Sequence, residues 1–175
     1  MDSNPLPRWL VPGANLAVLL GMVVLLGCQT QPEPGAFPMS VKKLQEFADG
    51  YTAAWNSGQP QNVAAFFAPD GILSVNGAAS VGREAITAVA AGFMTAFPDL
   101  ELLNDRLETL PGAVHYHWTF IGTNTGPGGT GQAVRFSGFE KWTFDENGLV
   151  AISLGQFNED EYRHQLEYGV ERSPE

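Results

Sequence analysis

Basic residues are scarce in this chain: nine lysines and arginines stand against nineteen aspartates and glutamates, for a formal charge of −10, and nowhere do the basic ones form a run. A nucleic-acid surface needs clustered cations to offset phosphates, so nucleic acid is excluded as a partner, and the acidity serves solubility. A single cysteine, Cys28, excludes a disulfide within one chain. The apolar run Leu16 to Gly27, twelve residues long, falls short of the ~20 residues that a membrane-spanning helix needs. The Gly-rich stretch Gly122 to Gln132 is not a phosphate loop, because no Gly-Lys-Ser/Thr follows it and no helix starts there. No internal repeat is present, and no cofactor is expected.

What is there suffices for one domain with a real core, since 175 residues are too few for two comfortable ones. Residues 1–28 stand apart from it. Arg8 precedes the apolar run, which has the length of a signal-peptide core and ends in Leu25-Leu26-Gly27-Cys28. That ending resembles the lipobox of bacterial lipoproteins, whose cysteine is lipidated; the alternative is an uncleaved anchor with an incidental cysteine. Either arrangement places the domain at the cell envelope, on the outer side of a membrane. Residues 29–39, with Pro32, Pro34, Gly35 and Pro38, read as an extended tether. The domain proper is expected over 40–170, with 171–175 frayed.

Ser40 is a plausible N-cap for a first helix with its stripe at Val41, Leu44, Ala48, Tyr51 and Trp55, ending at Asn56-Ser57-Gly58. A short second helix is expected from Pro60 to Phe67, a strand from Ile72 to Asn76, and a third helix from Gly82 to Pro98 with Ile86, Val89 or Ala90, Phe93 and Phe97 inward. Leu100 to Leu110 is strand-like. The Gly122–Gln132 stretch, with five glycines, is expected to be a flexible hairpin tip or a lid. A last helix is expected within Glu159 to Val170.

Between Ala113 and Asn158 three runs alternate as strands, and parity assigns their faces. One face gathers Val114, Tyr116, Trp118 and Phe120 from the first run, and Phe136, Gly138, Glu140, Trp142 and Phe144 from the second. From the third run it takes Val150, Ile152, Leu154, Gln156 and Asn158. Glu140 is thus a lone carboxylate on an apolar face. Buried carboxylates are rare unless paired or functional, so Glu140 either serves a pocket or is satisfied by Gln156, Asn158, Tyr51 or Arg83. Gly138 beside it is expected to leave room for a ligand. Gln156 and Asn158 would donate to a ligand oxygen, or else cap the sheet edge or the next turn. His115 and His117 fall on the opposite, polar face with no third ligand evident, so no metal is expected.

The words Val81-Gly82-Arg83-Glu84-Ala85-Ile86, Phe97-Pro98-Asp99-Leu100, Trp118-Thr119-Phe120, Gly122-Thr123-Asn124-Thr125-Gly126 and Val134-Arg135-Phe136-Ser137-Gly138 occur in that order. Over roughly 40–158 they resemble the SnoaL-like branch, polyketide and ester cyclases, of the NTF2-like superfamily. The resemblance implies an α+β cone with three N-terminal helices packed on a curved, mostly antiparallel sheet. It also implies an intramolecular aldol closure in which a carboxylate removes a proton beside a carbonyl, and homodimers formed by the open sheet face. Glu140 stands where relatives carry an aspartate, while the Glu-His-Trp word of the last strand is replaced by Ile152, Ser153 and Leu154. Asn158 stands for a later acid, and Asn124 for a histidine of the loop. The expected reading is an enzyme with Glu140 as base and Gln156 or Asn158 as oxygen stabilisers. Tyr51, Trp55, Tyr116, Trp118, Phe136, Trp142 and Leu154 would contact a small hydrophobic carbonyl compound. Its rivals are a non-catalytic carrier or sensor and a homodimeric interaction module.

Overall fold

The computed structural model describes residues 39–170, so the expected signal peptide, Cys28, nearly all of the tether and the 171–175 tail lie outside the described residues. Helix α1 (Val41–Asn56) starts where the Ser40 hydroxyl accepts the Lys43 amide at 3.4 Å. It buries Leu44, Ala48, Tyr51, Ala54 and Trp55, whereas Val41, the first residue of the expected stripe, lies in solvent. Helix α2 (Pro60–Ala64) begins on its proline, as a ring with no amide hydrogen allows. Strand β1 (Phe67–Val75) starts five residues earlier than the apolar run suggests. Asn76 (φ 46°) and Gly77 (φ 90°) turn it into β2 (Ala78–Val81), a strand the sequence reading missed.

Only then comes α3 (Gly82–Ala96), so the N-terminal helical region is α1 with the single turn of α2, not three helices in succession. Strands β3 (Glu101–Leu110), β4 (Ala113–Thr123), β5 (Ala133–Phe144) and β6 (Val150–Phe157) follow, then α4 (Glu159–Tyr168). The sheet is curved and mixed, in the order β2-β1-β6-β5-β4-β3, with β1 and β6 its one parallel pair. Helix α1 lies against β3, α3 against β1, and α4 against β5. The core between helices and sheet is mainly aromatic: Tyr51, Phe67, Phe97, Tyr116 and Trp142 are fully buried.

Parity holds across β4 and β5, whose pairing runs without a break from Val114↔Trp142 to Thr123↔Ala133. It fails in β6. The register slips between Thr143↔Ile152 and Phe144↔Val150, and one residue of slip exchanges the two faces. Ser153 and Gly155 are therefore buried with Glu140, while Ile152, Leu154 and Gln156 point outward.

The Gly122–Gln132 stretch is tied down rather than loose. Asn124 is buried; its side chain donates to Ala96 O at 3.1 Å and accepts from Thr130 N at 2.8 Å, and its backbone pairs with Gln132 and Gly131. Gly126 donates to Ala96 O, and a Cβ there would lie 2.0 Å from Thr95 O. Glycine serves close approach at this point, not flexibility.

Candidate functional site

Glu140 is the centre of the site. It lies on β5 between Tyr116 of β4 and Gly155 of β6, with only 6 % of its surface exposed. Three donors reach its Oε2: Trp142 Nε1 at 2.9 Å, Ser153 Oγ at 2.5 Å and the Tyr51 hydroxyl at 3.1 Å. Oε1 has only the Tyr51 contact, at 3.3 Å. Among the described residues no lysine or arginine pairs with the carboxylate; Arg83 instead donates to Phe67 O from Nε and Nη2.

Desolvation raises the Glu140 pKa above its ordinary value, and the hydrogen bonds from Ser153, Trp142 and Tyr51 oppose the shift. Burial likewise holds Tyr51 well above the usual phenol range, with the Glu140 charge adding to it, so Tyr51 remains a donor. Tyr116 is raised for the same first reason, and its hydroxyl sits 2.7 Å from Thr52 Oγ1. The rings lock one another: Tyr116 stacks on Trp142 at 4.6 Å, and Tyr51 meets both edge to face.

Glu140 lines an apolar cavity of about 50 Å³, walled by Trp55, Phe93, Trp118, Phe120, Phe136 and Phe157, with Leu73, Val75, Leu102 and Gly155 completing it. By the space a water takes, about four waters would fill it. The carboxyl is the one charged group in the wall. Two other wall residues carry polar side-chain atoms: Trp55 Nε1 and Trp118 Nε1 are buried N–H donors without a hydrogen-bond partner. Trp55 Nε1 approaches the Tyr51 hydroxyl closely enough to moderate the tyrosine's shift, yet not in hydrogen-bonding geometry.

Of the residues expected to contact a ligand, Trp55, Trp118 and Phe136 line the cavity. Tyr51, Tyr116 and Trp142 stand behind Glu140 and support it. Leu154 is 44 % exposed on the far face, and the expected oxygen stabilisers are not at the site. Gln156 points outward through the register slip, and Asn158 caps α4, its Oδ1 accepting from Asp160 N and Glu161 N at 3.1 Å. Nor does Gly138 leave room for a ligand: a Cβ there would lie 2.5 Å from Trp118 Cζ2, so the space already holds the indole.

Ser153, Phe93, Phe120 and Phe157 were missed as site residues. Phe93 and Phe120 were already on the inward faces by spacing. For Ser153 the one signal was Ser153-Leu154-Gly155, two small residues at period 2, which the apolar Ile152 and Leu154 outweighed. His115 and His117 lie on the outer face, away from the cavity.

A carboxyl lining an aromatic-walled cavity, on a curved sheet covered by helices, is an arrangement of the α+β NTF2-like fold. The SnoaL-like polyketide cyclase family model matches residues 45–166, and the chain belongs to that family. The solved structures it resembles include TsrD from Streptomyces laurentii (22 % identity, TM-score 0.64, covering 73 % of this chain and 97 % of that one). Another is a hypothetical protein of ketosteroid isomerase-like fold from Catenulispora acidiphila, in complex with trimethylamine (16 %, TM-score 0.63, 74 % and 98 %). A third is a SnoaL-like protein from Burkholderia thailandensis (16 %, TM-score 0.56, 69 % and 98 %). At these identities the likeness is one of fold. A search among curated protein sequences gives no match.

Proposed function

We propose that this chain binds a small, largely apolar carbonyl compound in the cavity and moves a proton on it. The observation that carries this reading is the Glu140 carboxyl, buried, raised in pKa by desolvation, on a residue that lines an apolar cavity. Glu140 as carboxylate takes the proton from the carbon beside the carbonyl, and the electron pair moves into an enolate. Trp118, a wall residue whose buried N–H has no hydrogen-bond partner, is the donor left for the enolate oxygen, the role expected of Gln156 and Asn158. Return of the proton from Glu140 to another carbon gives an isomerase; attack of the enolate carbon on a second carbonyl of the same molecule, whose alkoxide then takes the proton back from Glu140, gives a cyclase. The cavity volume favours a substrate of few heavy atoms.

Two measurements on the wild type test this. A carboxyl-carbon NMR titration should place the Glu140 pKa above the ~4.3 of a free glutamate. Small cyclic ketones in D2O should exchange their α-protons faster with the protein than without it. A Glu140 pKa at or below the free value would remove the base assignment.

A second reading, a binder or sensor without turnover, is favoured by the absence of any cation paired with Glu140 among the described residues. A carboxylate under aromatic walls also suits a small organic ammonium ion, and the relative from Catenulispora is a trimethylamine complex. Saturable binding of trimethylamine, with no exchange of any ketone, would select this reading.

For location, the apolar run and Cys28 support attachment to the envelope through a lipid on that cysteine. Metabolic labelling with a clickable fatty acid should tag the chain, and Cys28→Ser should abolish the tag. Labelling that persists in the variant would exclude it.

A further inference from the structure

On the outer face of the sheet, opposite the cavity, three donor-bearing side chains converge from two neighbouring strands. His115 and His117 stand two residues apart on β4, so both imidazoles project from the same face. Register places Glu108 of β3 directly across from His115, and it supplies the third ligand that spacing along the sequence did not show. One ligand atom from each of the three lies within 4.8 Å of the others, and His117 Nε2 is 3.5 Å from Glu108 Oε2. His117 Nε2 is buried and makes no hydrogen bond. The Phe139 ring lies 5.0 Å from the His115 ring and 5.8 Å from that of His117, packing beside both imidazoles on the same face.

We infer that Glu108, His115 and His117 form a binding site for a divalent transition-metal ion of the zinc class, with a fourth position open to water. Two imidazoles and one carboxylate are the donor set of open, three-ligand zinc sites. Ligand atoms about 2 Å from a tetrahedral zinc lie roughly 3.3 Å apart, so side-chain rotation on fixed strands closes the triangle. Two cations oppose occupancy. The Arg106 guanidinium is 3.3 Å from Glu108 Oε2, and Lys141 of β5 pairs with His115 in register. Both are exposed, and Arg106 (61 % exposed) can swing clear. The site is therefore one in which a metal competes with an arginine for the same carboxylate.

The test is calorimetric titration of Zn2+ into the full chain in detergent, carrying Cys28→Ser so that no thiolate competes, with Co2+ absorption as a second readout of nitrogen–oxygen ligation. One equivalent should bind. Loss of an outer-shell partner alone costs ~10–100-fold in metal affinity, so His115→Ala, His117→Ala and Glu108→Gln should each weaken binding by at least about tenfold. Arg106→Ala should tighten it. Zn2+ should raise the unfolding midpoint of the starting protein and not of the histidine variants, which separates lost ligation from lost folding. Absence of binding, or binding that survives both histidine substitutions unchanged, overturns the assignment. Neither result bears on the Glu140 cavity, which lies on the other face.

Discussion

In the Glu140→Gln variant, α-proton exchange on a small ketone should fall ~10²–10⁴-fold, the usual contribution of one positioned acid–base group. The amide keeps the shape of the side chain and can still accept from Trp142 and Ser153, so ketone binding should change far less than exchange. The same substitution has a signature in stability. Desolvation lifts the Glu140 pKa in the folded chain, so the folded state holds this proton more tightly than the unfolded one. The free energy of unfolding from this group is therefore greatest below the unfolded pKa and is lost as pH rises through the folded one. Wild-type unfolding midpoints should show that decline over a window opening near the ordinary glutamate value, ~4.3, and extending upward. The variant has no such proton, so its curve should lack that component. Parallel curves for the two proteins would mean that Glu140 is not desolvated, and the base assignment would go with it.

The largest loss of stability should come from Trp142→Ala. Trp142 is wholly buried, stacks on Tyr116, meets Tyr51 and Phe47 edge to face at 5.1 and 5.6 Å, and donates to Glu140. Large-to-small changes of this kind cost ~3–5 kcal/mol, a large share of the ~5–15 kcal/mol that holds a typical domain together. For a domain of this size the midpoint should drop by roughly 10–20 °C. Trp142→Phe separates the two parts of the effect. It retains a ring but no N–H, so one donor is lost from a buried carboxylate, at a cost of ~1–3 kcal/mol. Further, with that donor gone the Glu140 pKa should rise beyond its wild-type value. A change of less than about 1 kcal/mol in Trp142→Ala, measured by urea unfolding, would contradict the packing described.

These variants sit where sequence and structure agree best. Glu140 and its neighbours on β4 and β5 were legible because those strands pair without a bulge, so the alternation Tyr116-Trp118-Phe120 and Phe136-Glu140-Trp142 maps directly onto one face. The last strand was not legible. Ile152 and Leu154 carry the hydrophobic pattern, yet the slip beside Phe144 turns them outward and brings Ser153 onto the carboxylate. A bulge depends on how two strands meet, and alternation within one strand does not encode it. The same limit hid Glu108 from His115 and His117, since β3 has its own slip between Asn104 and Arg106. Helices were easier. The stripe Leu44-Ala48-Tyr51-Trp55 is written within a single segment and needs no partner to be read.

The position of β6 in the sheet sets a timetable for folding. The last strand made lies between β1 and β5, the only strand that joins the two halves. Until it emerges, β1 and β5 each present an unpaired edge, the kind of template on which other chains add. Tyr51 and Ser153, which hold one oxygen of Glu140 between them, come from near opposite ends of the domain's sequence. Contacts of such sequence separation form slowly. The pocket is thus incomplete until β6 is in place, because Gly155 and Phe157 of its wall and Ser153 on the carboxylate all come from that strand.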